Sequence, residues 1–254
     1  YISPISIVTA YGSNGMDLRY ESHSSETPTP GVEHLTITLQ DRVQAITVEL
    51  HIRAYAADDT IEQWLVFKNK TGKPIQVPRL ASLYFQADAK QEIHLEWYGS
   101  NEYHTAGEPF REKLNMGARV LESRDGNRHK AGPIPAFILG FGATPTETTL
   151  PCMIVAFEWP GSTRFSFEIN EQKILEASAE VNQSQPPVVE DGESMASPRC
   201  IFTFSKSGMG EASRNLHRWT RSHLLPDGNR LRPIDNNSWE GCSMDVSESA
   251  ILKM

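Results

Sequence analysis

The chain has 254 residues, 39% of them hydrophobic and 22% charged, with a formal net charge of −8. That length and balance suit one large globular domain or two small ones, and the acidic balance argues against a nucleic-acid partner. No apolar run approaches the roughly 18 residues that a membrane-spanning helix needs, and three dispersed cysteines exclude a disulfide scaffold and a close-spaced metal knuckle.

The chain opens at Tyr1 rather than Met, so the native start is expected to lie upstream. Ile5, Ile7 and Val8 read as a strand running into the turn Tyr11–Gly15, and Asp17–Tyr20 as the next. The two prolines and the glycine of Glu26–Gly31 predict a loop. Leu35, Ile37 and Leu39 alternate with His34, Thr36 and Thr38, and Ile46, Val48, Leu50 and Ile52 with Thr47, Glu49, His51 and Arg53. Such period-two patterns mark half-buried strands. Asp41-Arg42 is a plausible hairpin connection between them.

Ile61–Phe67 is apolar on both faces and predicts a strand covered on both sides, followed by one long strand over Ile75–Phe85. Ile93, Leu95 and Trp97 alternate with Glu92, His94 and Glu96. Loops are expected to dominate from Gly107 to Pro135, after which Phe137–Phe141, Met153–Phe157, Phe165–Ile169 and Cys200–Phe204 resume the strands. The polar stretch Asn182–Pro198 predicts a mobile loop. About a dozen strands with frequent turns imply a large sandwich. Over Gly210–Leu225 the spacing predicts a helix with Leu216, Trp219 and either His223 or Leu224 on its apolar stripe, and with Arg214, Arg218 and Arg221 opposite. From Arg232 the pattern reads as a short strand, a loop carrying Trp239 and Glu240, then a helix opening at Ser247-Glu248. A β/α unit begins this way.

No carboxylate pair stands in an apolar setting of the kind that tunes a general acid. The eight histidines show no metal-ligand spacing, and no catalytic metal or cofactor is expected. Trp97, Trp159 and Trp239 could each stack on a sugar ring or pack in a core. Core packing is the expectation for Trp97, a ligand-facing role for Trp239, and for Trp159 both stay open.

Several segments together resemble the glycoside hydrolase family 36 α-galactosidases. They are Asp17-Leu18-Arg19-Tyr20 with Ser22-His23, Asp59-Thr60-Ile61 through Asn69, and Leu121-Glu122-Ser123-Arg124 with Gly126 and His129. Ser207-Gly208 and Gly210 with Ser213 and Leu216-His217-Arg218 follow, then Arg232-Pro233, Asn237-Ser238-Trp239-Glu240 and Asp245. Gln63 stands where the family usually has Arg, and Asp235-Asn236 where it has apolar strand residues.

The resemblance implies a mainly β chain: a β-supersandwich of the galactose-mutarotase kind over 1–208, a linker helix and loop over 209–231, and over 232–254 the first β/α unit of a truncated (β/α)8 barrel. It implies an α-galactoside as ligand of the missing barrel and two catalytic aspartates outside this chain. Trp239 and Glu240 are the substrate-binding residues it carries over, with no catalytic and no metal-binding residue. A homo-oligomer is expected because the Gly210–Leu225 stripe and the tail from Ser238 would expose the surface that a barrel covers, and self-association would order them. The alternative is a carbohydrate-binding or oligomerisation module of a relative that has lost catalysis or acts on α-N-acetylgalactosaminides.

Overall fold

The computed structural model describes residues 3–10, 12–100, 106–124, 126, 132–235 and 237–253. Readings that fall on Tyr11, His129, Asn236 and Met254 lie outside the described residues. The chain divides into two compact units, the first through Trp219 and the second from Thr220.

The first unit begins with β1 (Ile5–Thr9), β2 (Gly12–Asn14), β3 (Leu18–Thr29), β4 (Val32–Asp41), β5 (Ile46–Tyr55) and β6 (Thr60–Asn69). It continues through β7 (Ile75–Leu80), β8 (Leu83–Asp88), β9 (Ile93–Ser100), β10 (Ala106–Leu114), β11 (Gly117–Glu122) and β12 (Gly132–Phe141). The last strands are β13 (Cys152–Phe157), β14 (Thr163–Ile169), β15 (Ile174–Val181), β16 (Val188–Val189), β17 (Ser194–Ala196) and β18 (Cys200–Ser205), and helix α1 (Met209–Trp219) closes the unit.

A ten-stranded sheet runs β10-β9-β12-β13-β18-β6-β5-β4-β3, with β17 also on β6. Two four-stranded sheets, β11-β14-β15-β8 and β16-β7-β1-β2, accompany it. Alternation decides which side chains face them. Phe137, Leu139, Met153 and Val155 of the large sheet pack with Phe165, Phe167, Leu175 and Ala177 of the first small sheet. Ile46, Val48, Leu65 and Phe67 pack with Ile7, Ile75 and Val77 of the second. A buried Phe or Leu contributes about 2 kcal/mol by leaving water, so two such cores secure a chain of this size. The fold is mainly β with sandwich-like layers.

On the opposite face of the large sheet lies α1. Leu216 and Trp219 pack with Val32, Tyr55 and Ile201, while Met209 and Ala212 pack with Ile138, Cys152 and Ile154. The buried stripe is Ala212, Asn215 and Trp219. It does not reach His223 or Leu224, which stand in the π-helical turn Thr220–Leu224, where no residue is buried. The wider turn shifts the phase of the helix, so the apolar spacing read from the sequence overruns its own face.

Several loops expected from polar or proline-rich sequence are strands. Glu26–Thr29 belongs to β3 because β3 is the sheet's outermost strand, and its register on β4 shifts between Glu26 and Thr29. Pro28 therefore removes no ladder donor. Pro30 and Gly31 (φ 80°) then make the tight turn, the positions a type II turn reserves for Pro and Gly.

The long strand expected over Ile75–Phe85 breaks at Ala81-Ser82, whose N–H groups donate to Pro4 O (2.8 Å) and Ala179 O (2.9 Å). The chain thereby changes sheets. Between Gly107 and Pro135, β10 and β11 are edge strands, and one exposed face explains their low hydrophobicity. Asn182–Pro198 carries β16 and β17, held by buried Asn69. Its Nδ2 donates to Val189 O at 2.9 Å and its N–H to Glu193 O at 3.0 Å. Side-chain polarity concealed a backbone that is fixed by a distant amide.

Candidate functional site

The two residues singled out by sequence for substrate binding lie in the second unit. Trp239 heads α2 (Trp239–Cys242) and is 54% exposed. Its N–H donates to Asn237 Oδ1 at 3.0 Å, a local turn that starts the helix. Glu240 follows in the same helix, and its side chain is outside the described residues.

The short strand expected after Arg232 is not formed, and residues 226–253 contain no strand among those described. Arg232 Nη2 instead donates to Pro226 O at 3.1 Å. A barrel strand takes its ladder partners from neighbouring strands, and none is at hand here. The helix expected at Ser247-Glu248 is present as α3 (Glu248–Ile251), with Ser247 Oγ accepting from the Ala250 N–H. Leu231, Ile234, Met244, Val246 and Leu252 stay more than half exposed, more apolar surface than scattered single residues would give.

In the first unit, a polar and aromatic layer on the α1 face of the large sheet was not foreseen. Glu62, 1% exposed, accepts from Arg53 Nη1 (3.1 Å), Tyr55 Oη (3.2 Å) and Arg199 Nη1 (3.1 Å). Both guanidinium carbons lie 5.2 Å from the Trp64 ring centroid, a cation–π arrangement. His51 stacks on the same indole at 4.7 Å and 4°. Burial holds the His51 imidazole below its usual range, against the raising effect of Glu49. Alternation assigned Arg53 to a polar face, but Ile61–Phe67, which holds Glu62 and Trp64, read as apolar on both faces. Pairing of β5 with β6, which no single-chain pattern reveals, brings them together.

Two carboxyls are raised from the ordinary range. At Glu180 burial raises, opposed by Arg79 and Arg164, and the Arg79 ion pair at 2.7 Å makes it structural. At Glu158 burial raises, the Glu62 charge adds, and Arg199 opposes. The raised folded-state value of Glu158 means that the neutral acid is the form folding favours. The stability it contributes is present below the unfolded-chain value, about 4.3, and is lost as pH rises through the folded value. Glu158→Gln is therefore expected to raise the melting temperature at pH 7, with the gain closing near pH 4. Thermal melts across that range check this, and a variant less stable at pH 7 contradicts it.

Trp97 packs against the first core and stacks on Phe110 at 4.2 Å, as expected. Trp159 is 38% exposed, at the tip after β13. Cys152 and Cys200 are buried, their thiols pushed up by burial, Cys152 to about 11.

The family described as "Glycosyl hydrolase family 36 N-terminal domain" matches residues 2–189. The chain belongs to glycosyl hydrolase family 36. Among its curated relatives, probable alpha-galactosidase G of Aspergillus terreus is 27% identical over 232 residues, covering 88% of this chain and 31% of the relative. Alpha-galactosidase 2 of Hypocrea jecorina is 27% identical, covering 98% of this chain and 35% of its own length. This family 36 chain thus spans about a third of the length of the curated relatives it matches.

Its fold is that of the GH36 alpha-galactosidase AgaA from Geobacillus stearothermophilus, solved in complex with stachyose. The TM-score is 0.88 at 22% identity, over 100% of this chain and 37% of that one. The alpha-galactosidase from Lactobacillus brevis gives 0.87 at 15%, over 100% and 36%.

Three of the segments that carried the family resemblance serve the framework. Asp41 accepts from the N–H groups of Asp17, Val43 and Gln44 at 2.7–2.8 Å and shapes the β4–β5 turn. The Ser123 carbonyl accepts from Asn182 Nδ2 at 3.1 Å. Gln63, in the position the family gives to Arg, donates to Ser82 O at 3.1 Å and so ties β6 to the sheet-changing bend.

Proposed function

We propose that this chain is the non-catalytic N-terminal part of a retaining glycoside hydrolase acting on α-linked galactosides. In this reading 1–208 form a β-supersandwich, 209–231 a linker, and 232–254 the first β/α unit of a (β/α)8 barrel. The observation that carries it is the family match over 2–189, in relatives named alpha-galactosidases that are about three times as long. The apolar side chains left exposed after Thr220 support it, being what further strands and helices would cover.

The chemistry of retention needs two carboxyl groups about 5 Å apart, one as nucleophile and one as acid/base, passing through a glycosyl-enzyme intermediate. Barrel strands beyond these residues supply both. Trp239 lies beside the sugar pocket, where its indole offers a stacking face, and Glu240 is its partner. A polypeptide carrying these residues followed by a complete barrel is expected to release aryl alcohol from an aryl α-galactoside with retention, read by proton NMR. Inactivity on both α-galactosides and α-N-acetylgalactosaminides defeats the enzymatic reading. It leaves the second one, a sandwich module for sugar binding or association, which the polar Asp235 in an expected barrel strand favours.

The protein is also a homo-oligomer in this reading, through the exposed tail from Ser238. The α1 stripe takes no part, because the large sheet already buries it. Light scattering is expected to give a mass above 28.4 kDa, falling to the monomer when Trp239 and Ile251 are changed to Ser. A strict monomer at all concentrations contradicts this.

A further inference from the structure

A groove of about 560 Å3 opens in the first unit beside Glu158, Trp159, Val181, Gln183, Pro198 and Arg199. It lies where the β13–β18 ladder ends at Phe157 and Cys200, and where the β14–β15 hairpin starts at Thr163 and Val181. Its volume falls within the ~300–1,000 Å3 typical of small-ligand clefts.

Its walls are fixed. The Glu158 N–H donates to Arg199 O at 2.9 Å, and the Trp159 N–H to Phe157 O at 2.7 Å. A Cβ on Gly161 would fall 2.6 Å from Trp159 Nε1 and 2.9 Å from Cε2. One edge of the indole therefore rests on glycine backbone, which holds the ring while leaving it 38% exposed. Arg199 is held by Glu62 and by the Trp64 ring, yet only its Nη1 makes a hydrogen bond among the described residues. The Glu158 carboxyl and the Gln183 amide make none among the described residues, although Glu158 is half-buried. A half-buried carboxyl is normally satisfied, while Gln183 and Arg199 are exposed, so the groove presents one sheltered acceptor and, at its rim, two sets of donors beside a flat apolar face.

This combination narrows the ligand. A polyanion would meet the Glu158 carboxyl, and a lipid chain would strand that half-buried carboxyl against hydrocarbon. A saccharide ring satisfies both constraints. Its C–H face lies on the indole, and its rim of hydroxyls donates to a carboxyl and accepts from a guanidinium and an amide. We propose that the Trp159 groove is a saccharide-binding site of the sandwich, with Trp159 as stacking platform and Glu158, Arg199 and Gln183 as hydroxyl partners. The ligand class follows from the chemistry of the groove and stands or falls apart from any activity on galactosides.

The five tryptophans give five indole N–H signals that can be followed by NMR. Titration with melibiose, maltose and cellobiose up to about 50 mM reaches the millimolar affinities at issue, with inorganic phosphate as the anion probe. At least one sugar is expected to move the Trp159 signal saturably and leave the other four in place. Trp159→Ala, which lacks the reporting indole and is followed by isothermal titration calorimetry, should abolish saturable binding. Glu158→Gln, the variant expected to fold at least as well, should weaken it about fivefold by exchanging a charge-assisted hydrogen bond for a neutral one. No saturable shift with any of the three sugars overturns the proposal. A response to phosphate alone, or sugar binding unchanged in Glu158→Gln and Trp159→Ala, does so equally.

Discussion

Gly208→Ala is expected to lower stability by about 4 kcal/mol, the sum of left-handed strain and a collision that nothing can relieve. Gly208 adopts φ 89°, and a Cβ there would lie 2.5 Å from Thr146 O, 2.6 Å from Thr149 N and 2.7 Å from Glu147 O. All three are backbone atoms. The same loop receives the Met209 N–H at Thr146 O (2.8 Å) and the Gly210 N–H at Glu147 O (3.0 Å), so it seats the start of α1. Moving it to admit a methyl group would break both bonds and lift the helix from the large sheet. For a domain of this length the melting temperature should fall by about 12 °C. Gly192→Ala separates the two causes, because Gly192 has φ 80° with nothing within 4 Å of its Cβ position. Strain alone, about 1 kcal/mol, is expected there. Equal losses in the two variants would show that the collision is absent.

Glu62→Ala carries the second large effect. The carboxylate is 1% exposed and accepts from Arg53, Tyr55 and Arg199. Its removal leaves Arg53, whose side chain is 23% exposed, and a buried tyrosine hydroxyl without their acceptor. Breaking such a cluster costs about 3 kcal/mol, since the desolvated partner remains behind. Arg199→Ala should cost only about 1 kcal/mol, because the Arg199 side chain is 46% exposed and its pairing is weakened by solvent. Urea unfolding of both variants checks the ranking. A larger loss for Arg199→Ala would mean that Arg199, rather than Arg53 and Tyr55, is the partner that holds the Glu62 charge.

How far the sequence could be read follows from these residues. Strands whose alternating faces meet a second sheet, such as Ile46–Ile52 and Phe165–Ile169, announced themselves, because burial on one side enforces the period. Strands at the sheet edges did not. β3 carries Pro28 and is almost wholly exposed, and β10 and β11 pair with one neighbour each. An edge strand is specified by the strand beside it, so its own composition resembles a loop.

The family resemblance was legible in part because Asp17, Asn69, Gly208 and Gly210 serve turns and a helix seat whose geometry tolerates few residue types. The Glu62–Trp64 layer and the Trp159 groove were not legible. Both join residues distant in sequence, 137 apart in the Arg199–Glu62 bond, and alternation states which face a residue takes but not which neighbour it meets. The strand expected after Arg232 illustrates the same limit, since a strand exists only where a ladder partner stands beside it.

Incubating this 254-residue chain with an aryl α-galactoside, at protein concentrations far above those needed for a complete enzyme, tests most directly whether the residues described serve as scaffold rather than as the seat of catalysis. Release of aryl alcohol no faster than in buffer is the result expected. Release that saturates with substrate and disappears on changing Glu158 or Glu62 to Gln would place the chemistry within the sandwich and contradict the account.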